Sequence, residues 1–115
     1  MKQVPNEDLV RRWFPAFADL RDKLGMRTAV SESTPMHWFV RLEGDSFGLL
    51  IGEDRSDEMF SIRVNGSKRY WVLTTILSEL GLWKNSRERA DQSKLAHALE
   101  QNLPSVLRHI EGKEK

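Results

Sequence analysis

Residues 36–65, MHWFVRLEGDSFGLLIGEDRSDEMFSIRVN, decide the fold. Large apolar residues take alternate positions in three runs: Trp38, Val40 and Leu42, then Phe47, Leu49 and Ile51, then Phe60, Ile62 and Val64. Period two is the signature of a strand with one buried face. A turn at Gly44-Asp45 sets Leu42 opposite Phe47, Val40 opposite Leu49 and Trp38 opposite Ile51. A second turn at Arg55-Ser56 sets Ile51 opposite Phe60, Leu49 opposite Ile62 and Phe47 opposite Val64. Both turns send the large residues to one face, and a slip by a single residue would expose the whole set. The stretch therefore predicts a three-stranded antiparallel meander.

Helical spacing flanks it on both sides. Leu9, Trp13, Phe17, Leu20 and Leu24 recur at helix period up to Gly25, a good residue just past a helix end. Asn6 is a suitable N-cap, and Glu7–Arg11, Asp8–Arg12 and Asp19–Lys23 are acid-first i,i+4 pairs. The stripe keeps its phase across Pro15, which predicts a kinked helix. Residues 26–30 alternate weakly and suit an added edge strand; residues 31–35 read as a polar loop. After Asn65-Gly66, Ser67 is a candidate cap for a helix with the stripe Val72, Leu73, Ile76, Leu77 and Leu80, ending at Gly81. Residues 83–89 form a basic connector. A last helix over 91–112 carries Leu95, Leu99, Leu103, Val106, Leu107 and Ile110, with Pro104 in phase, and 111–115 read as a disordered tail. The expected fold is α+β: a two-layer sandwich, order α-(β)-β-β-β-α-α, with helices on the apolar face of the sheet.

Composition bounds the rest. A chain of 115 residues is the size of one domain. It is 39% hydrophobic and 30% charged, with four Trp and five Phe, enough for a real core. Eighteen basic against seventeen acidic residues give a net charge of +1, so a charged partner must be read by a local patch. The absence of Cys excludes disulfides, thiolate nucleophiles and Cys-based zinc sites. No apolar run approaches the roughly 20 residues that span a bilayer. With no signal-peptide pattern at residues 1–6, the expectation is a soluble cytoplasmic protein without membrane partners.

Three surfaces could carry function. On the outward face, the expected rows are Glu43–Ser46–Asn65, Arg41–Gly48–Arg63, Phe39–Leu50–Ser61 and His37–Gly52–Met59. Arg41 and Arg63 would then flank a glycine and offer paired N–H donors to a carboxylate or phosphate. The plain alternative pairs them with Glu43 or solvent. Phe39 and Leu50 would lie beside them, apolar and uncovered. The second surface is the hairpin tip, where Glu53 faces Glu58 and Asp54 faces Asp57, an arrangement of like charges that is either solvated or organised by something positive. Its spacing does not fit an EF-hand loop. The third is Ser67-Lys68-Arg69-Tyr70-Trp71, basic residues at an expected helix N-terminus, extended by Lys84, Arg87 and Arg89. Trp83 is a possible aromatic anchor for a partner. His37, His97 and His109 form no metal-ligand pair, and no HExxH, Gly-rich phosphate loop or GxSxG motif occurs, so neither catalysis nor a cofactor is expected.

The layout over residues 7–82, closing on Gly66-Ser67-Lys68-Arg69, resembles a double-stranded-RNA-binding domain, although Tyr70, Trp71, Val72 and Leu73 depart from that family's lysine-rich continuation. The resemblance implies phosphate contacts by Lys68 and Arg69. In size and architecture the chain also resembles small immunity proteins of bacterial toxin systems, which implies an acidic surface that blocks a toxin or nuclease. The leading expectation is a non-enzymatic protein-binding module using Glu53, Asp54, Asp57, Glu58, Phe39, Arg41, Leu50, Arg63 and Trp83. The alternatives are a nucleic-acid-binding domain, and a structural or ligand-binding subunit that forms a homodimer through the sheet face.

Overall fold

Alternating side chains build one open antiparallel sheet, with strand order following chain order. The computed structural model describes residues 9–29, 37–55, 57–84 and 91–114, the side chains of His37 and Asp54 excepted. Its elements are α1 (Leu9–Trp13), α2 (Pro15–Leu24), β1 (Arg27–Ala29), β2 (His37–Glu43), β3 (Phe47–Asp54), β4 (Asp57–Val64), β5 (Trp71–Val72), α3 (Leu73–Glu79), α4 (Gln92–Gln101) and α5 (Leu103–Lys113). The class is α+β. The helices lie on the face that carries Val40, Leu42, Phe47, Leu49, Ile51, Phe60, Ile62 and Val64, all buried. From α2 and the residue before it, Phe17 stacks on Phe60 at 5.0 Å and Phe14 meets the same ring edge-on at 5.4 Å. α3 and α5 pack on β4.

The second turn keeps its expected register, with Ile51 opposite Phe60, Leu49 opposite Ile62 and Phe47 opposite Val64. The first turn does not. It lies at Asp45-Ser46, so Val40 faces Ile51, Leu42 faces Leu49 and Trp38 faces Glu53. A shift of two residues leaves every side chain on its own face, so hydrophobic alternation cannot distinguish the two registers. One hydrogen bond within the turn and three from Asn65, beyond β4, hold the observed one. Gly44 N–H donates to Phe47 O at 3.0 Å, Asn65 N–H donates to Ser46 O at 3.1 Å, and Asn65 Nδ2 donates to Gly44 O and Asp45 O.

Both prolines split their helices. Phe14, before Pro15, sits at φ −136°, ψ 62°, because the proline ring disfavours helical geometry in the preceding residue. The break turns α1 so that Val10 and Phe14 are buried, while Trp13, expected in the stripe, is 51% exposed. Arg11 clamps the two helices by donating to Asp19 at 2.5 Å and Asp22 at 2.7 Å. The expected Asp19–Lys23 pair gives way to this clamp, and Lys23 pairs with Glu100 of α4. Gly25 ends α2 in the left-handed region at φ 68°, as its position suggested. Asn102, at φ −126°, separates α4 from α5, whose second residue is Pro104.

The expected edge strand exists as β1. β5 was not anticipated: Trp71 pairs with Ile62 and Val72 with Ser61. Ser67 therefore does not cap a helix, α3 begins only at Leu73, and Val72 is 54% exposed instead of lying in the apolar stripe. Residues 111–113, read from sequence as the start of a disordered tail, are the last turn of α5. The readings at Asn6, Glu7, Asp8 and residues 31–35, and that for Lys115, lie outside the described residues.

Candidate functional surface on the outer sheet face

Strand register sets four rows on the face away from the helices. They are Arg27–Glu43–Gly48–Arg63, Ala29–Arg41–Leu50–Ser61–Val72, Phe39–Gly52–Met59 and His37–Asp54–Asp57. The two-residue shift removes the proposed arginine pair, because Arg41 and Arg63 now stand in different rows. Arg63 instead donates across Gly48 to Glu43 Oε1 at 2.9 Å and to Ser67 O at 2.9 Å. Its guanidinium also lies 5.6 Å from the Tyr70 ring. Arg63 is thus committed to the fold, as the plain reading of the sequence allowed. Arg41 is exposed and makes no hydrogen bond or ion pair among the described residues.

Two glycines keep this face level. A Cβ on Gly52 would lie 2.0 Å from Trp38 O and 2.9 Å from Phe39 Cδ1, so the Phe39 ring roofs the position. The Arg63–Glu43 pair roofs Gly48 in the same way. Between and beside them, Leu50 and Phe39 are half-buried, Met59 is 38% exposed, and Val72 projects from the edge. Sequence reasoning placed Phe39, Leu50 and Met59 on this face but missed Val72, whose helix-like spacing concealed a strand.

The hairpin tip keeps its opposed acids, Glu53 with Glu58 and Asp54 with Asp57. Its charges are not all free. Glu58 accepts from Gln92 Nε2 of α4 at 3.0 Å, and Glu53 and Glu58 are half-buried on the helix side. Asp57 is exposed, as is Arg55, which takes a left-handed φ of 54° in the turn.

Lys68 and Arg69 are exposed on the extended segment before β5, so no helix N-terminus is present there to aid anion binding. The Arg69 guanidinium lies 3.9 Å from the Trp71 ring centre and Lys113 Nζ 5.0 Å. Glu114 accepts from Trp71 Nε1 at 2.8 Å and from Ser67 Oγ at 3.0 Å. Beside them lies an open cleft of about 690 Å³ whose lining includes Lys68, Arg69 and Lys113 together with Glu111 and Glu114. Lys113 and Glu114 carried no signal in the sequence, since their role depends on α5 reaching β5. Lys84 is exposed, Arg87 and Arg89 lie outside the described residues, and Trp83 packs half-buried on the core, which leaves little of it to serve as an anchor.

Among the described residues no group of three or more His, Asp or Glu is arranged to hold a metal ion, and no helix is long and apolar enough to cross a membrane. The fold and this surface define an α+β protein with helices on one side of a five-stranded sheet and a level, mixed apolar and charged face on the other. The chain matches no family model, no curated protein and no solved structure.

Proposed function

We propose that this chain is a non-enzymatic protein-binding module that docks through the outer face of its sheet. The observation that carries this reading is the placement of Leu50, Met59 and Val72 on one level surface beside Phe39 and an unengaged Arg41. Contiguous exposed apolar surface rimmed by charge is the usual mark of a protein contact. Docking by strand addition is less favoured, because the edge strands β1 and β5 are three and two residues long. An inhibitor of the immunity type is one form of this reading, in which exposed Asp57 at the rim adds steering charge.

The test is the double variant Leu50→Arg, Met59→Arg. Both positions lie on the outer face, so the thermal midpoint should stay close to wild type, while capture of the partner by the tagged protein is lost. An unchanged set of captured species would overturn the reading.

A second reading has one observation in its favour, the gathering of Lys68, Arg69 and Lys113 around one open cleft. Nucleic acid held there would dissociate steeply as salt rises. Glu111 and Glu114 in the same cleft oppose it. Filter binding at low salt with no retained oligonucleotide would retire it.

A further inference from the structure

We infer that the Glu114 carboxylate is a built-in occupant of a phosphate-binding site, and that a phosphate group enters the cleft by displacing it. One carboxylate oxygen, Glu114 Oε2, accepts from Trp71 Nε1 at 2.8 Å and from Ser67 Oγ at 3.0 Å. The Ser67 hydroxyl is already aimed. Its oxygen accepts from the Arg69 N–H at 3.1 Å, which leaves its own proton for the carboxylate. Two neutral donors thus converge on one anionic oxygen.

Charge around that oxygen is incompletely matched. Lys113 is engaged by Glu79 at 3.0 Å. Lys68 and Arg69 are exposed and make no ion pair among the described residues, and the Arg69 guanidinium lies against the Trp71 ring instead. Ser67, Lys68 and Arg69 line the same cleft as Glu114. The carboxylate leaves both cations without an ion pair, whereas a phosphate brings more negative charge and further acceptor oxygens. Glu114 is also weakly held. It is the C-cap of α5, at the negative end of the helix dipole, and Glu111 adds like charge in the same turn. The last turn of a helix opens at little cost. Glu111 and Glu114 are exposed, so releasing Glu114 clears both donors without disturbing the core.

The Trp71 indole N–H signal in NMR spectra of the full chain reads the site, with inorganic pyrophosphate as the probe. Pyrophosphate should shift that signal in a saturable way at millimolar concentration. Glu114→Ala should tighten binding about fivefold or more, because the open fraction of the site no longer limits it. Glu111→Ala removes the same charge from the same cleft but frees no donor. It should tighten binding less and leave the Trp71 signal of the ligand-free protein in place. Adding Ser67→Ala or Arg69→Ala to Glu114→Ala should weaken binding again. A Trp71 signal unmoved up to about 10 mM pyrophosphate, in wild type and in Glu114→Ala, overturns the inference. Equal tightening by Glu111→Ala and Glu114→Ala does so too, since Glu114 would then act only as one more negative charge. A fluorescein-labelled single-stranded oligonucleotide, followed by polarisation, identifies the source of the phosphate. Oligonucleotide competed off by pyrophosphate assigns the site to a nucleic-acid backbone. Pyrophosphate bound with no oligonucleotide retained assigns it to small phosphate compounds and retires the nucleic-acid reading alone.

Discussion

Gly52 shows how one residue carries a constraint that no propensity scale contains. Its missing side chain admits Trp38 O and the Phe39 ring to positions that a Cβ would occupy. Gly52→Ala should therefore destabilise the chain by about 3 kcal/mol or more, because backbone rather than a flexible side chain must move. Urea melts will check this, and a loss under about 1 kcal/mol would contradict the close approach. Glu79 is a second case. It accepts from His109 Nε2 at 2.8 Å and from Lys113 Nζ at 3.0 Å, and these bonds hold its carboxyl below the ordinary range. The folded state thus binds that proton less readily than the unfolded chain. The stability contributed is present above the usual glutamate range and is lost as pH falls through the folded-state pKa. In paired melts, Glu79→Gln should be less stable than wild type at neutral pH, and the gap should close as pH falls below the ordinary glutamate range. A gap independent of pH would show that the contact does not act through ionisation. Neither contact was legible in the sequence, since Gly52 meets β2 and Glu79 meets α5 only after the chain has folded.

At the scale of elements, strands were easier to read than helix boundaries. Alternation over β2, β3 and β4 is unambiguous because one face is buried and the other is not. The helices misled where a local geometry overrode a periodic pattern. Leu9 and Trp13 share helical phase with Phe17, but the turn forced at Phe14 buries Val10 and Phe14 instead. Trp71 and Val72 fit the start of a helix by spacing, yet the exposed edge of β4 offered backbone partners first. α4 behaves locally: Asp91 accepts from the N–H groups of Ser93 and Lys94 at 2.9 and 3.2 Å. Replacing it, Asp91→Ala, should cost about 1 kcal/mol through loss of the cap, read as a lowered urea midpoint with an unchanged slope. A variant as stable as wild type would mean that α4 is held by its buried face alone.

At the scale of the whole molecule, the helices cover one face of the sheet and leave the other uncovered, and the docking experiment addresses that second face. What the sequence determined by itself was the class of fold, the membership of each sheet face and most of the core, because side-chain alternation and helical spacing are properties of neighbours along the chain. Leu49, Ile51, Ile62, Leu95, Leu99 and Ile110 needed no tertiary information to be placed inside. The tertiary structure alone decided which outward residues stand side by side. Registers two residues apart bury the same side chains, so hydrophobic free energy is blind between them. Asn65, reaching from beyond β4 to the carbonyls of the first turn, favours the register observed. That choice gave Arg63 to Glu43, left Arg41 beside Leu50, and so separated the two arginines expected to share an anion site.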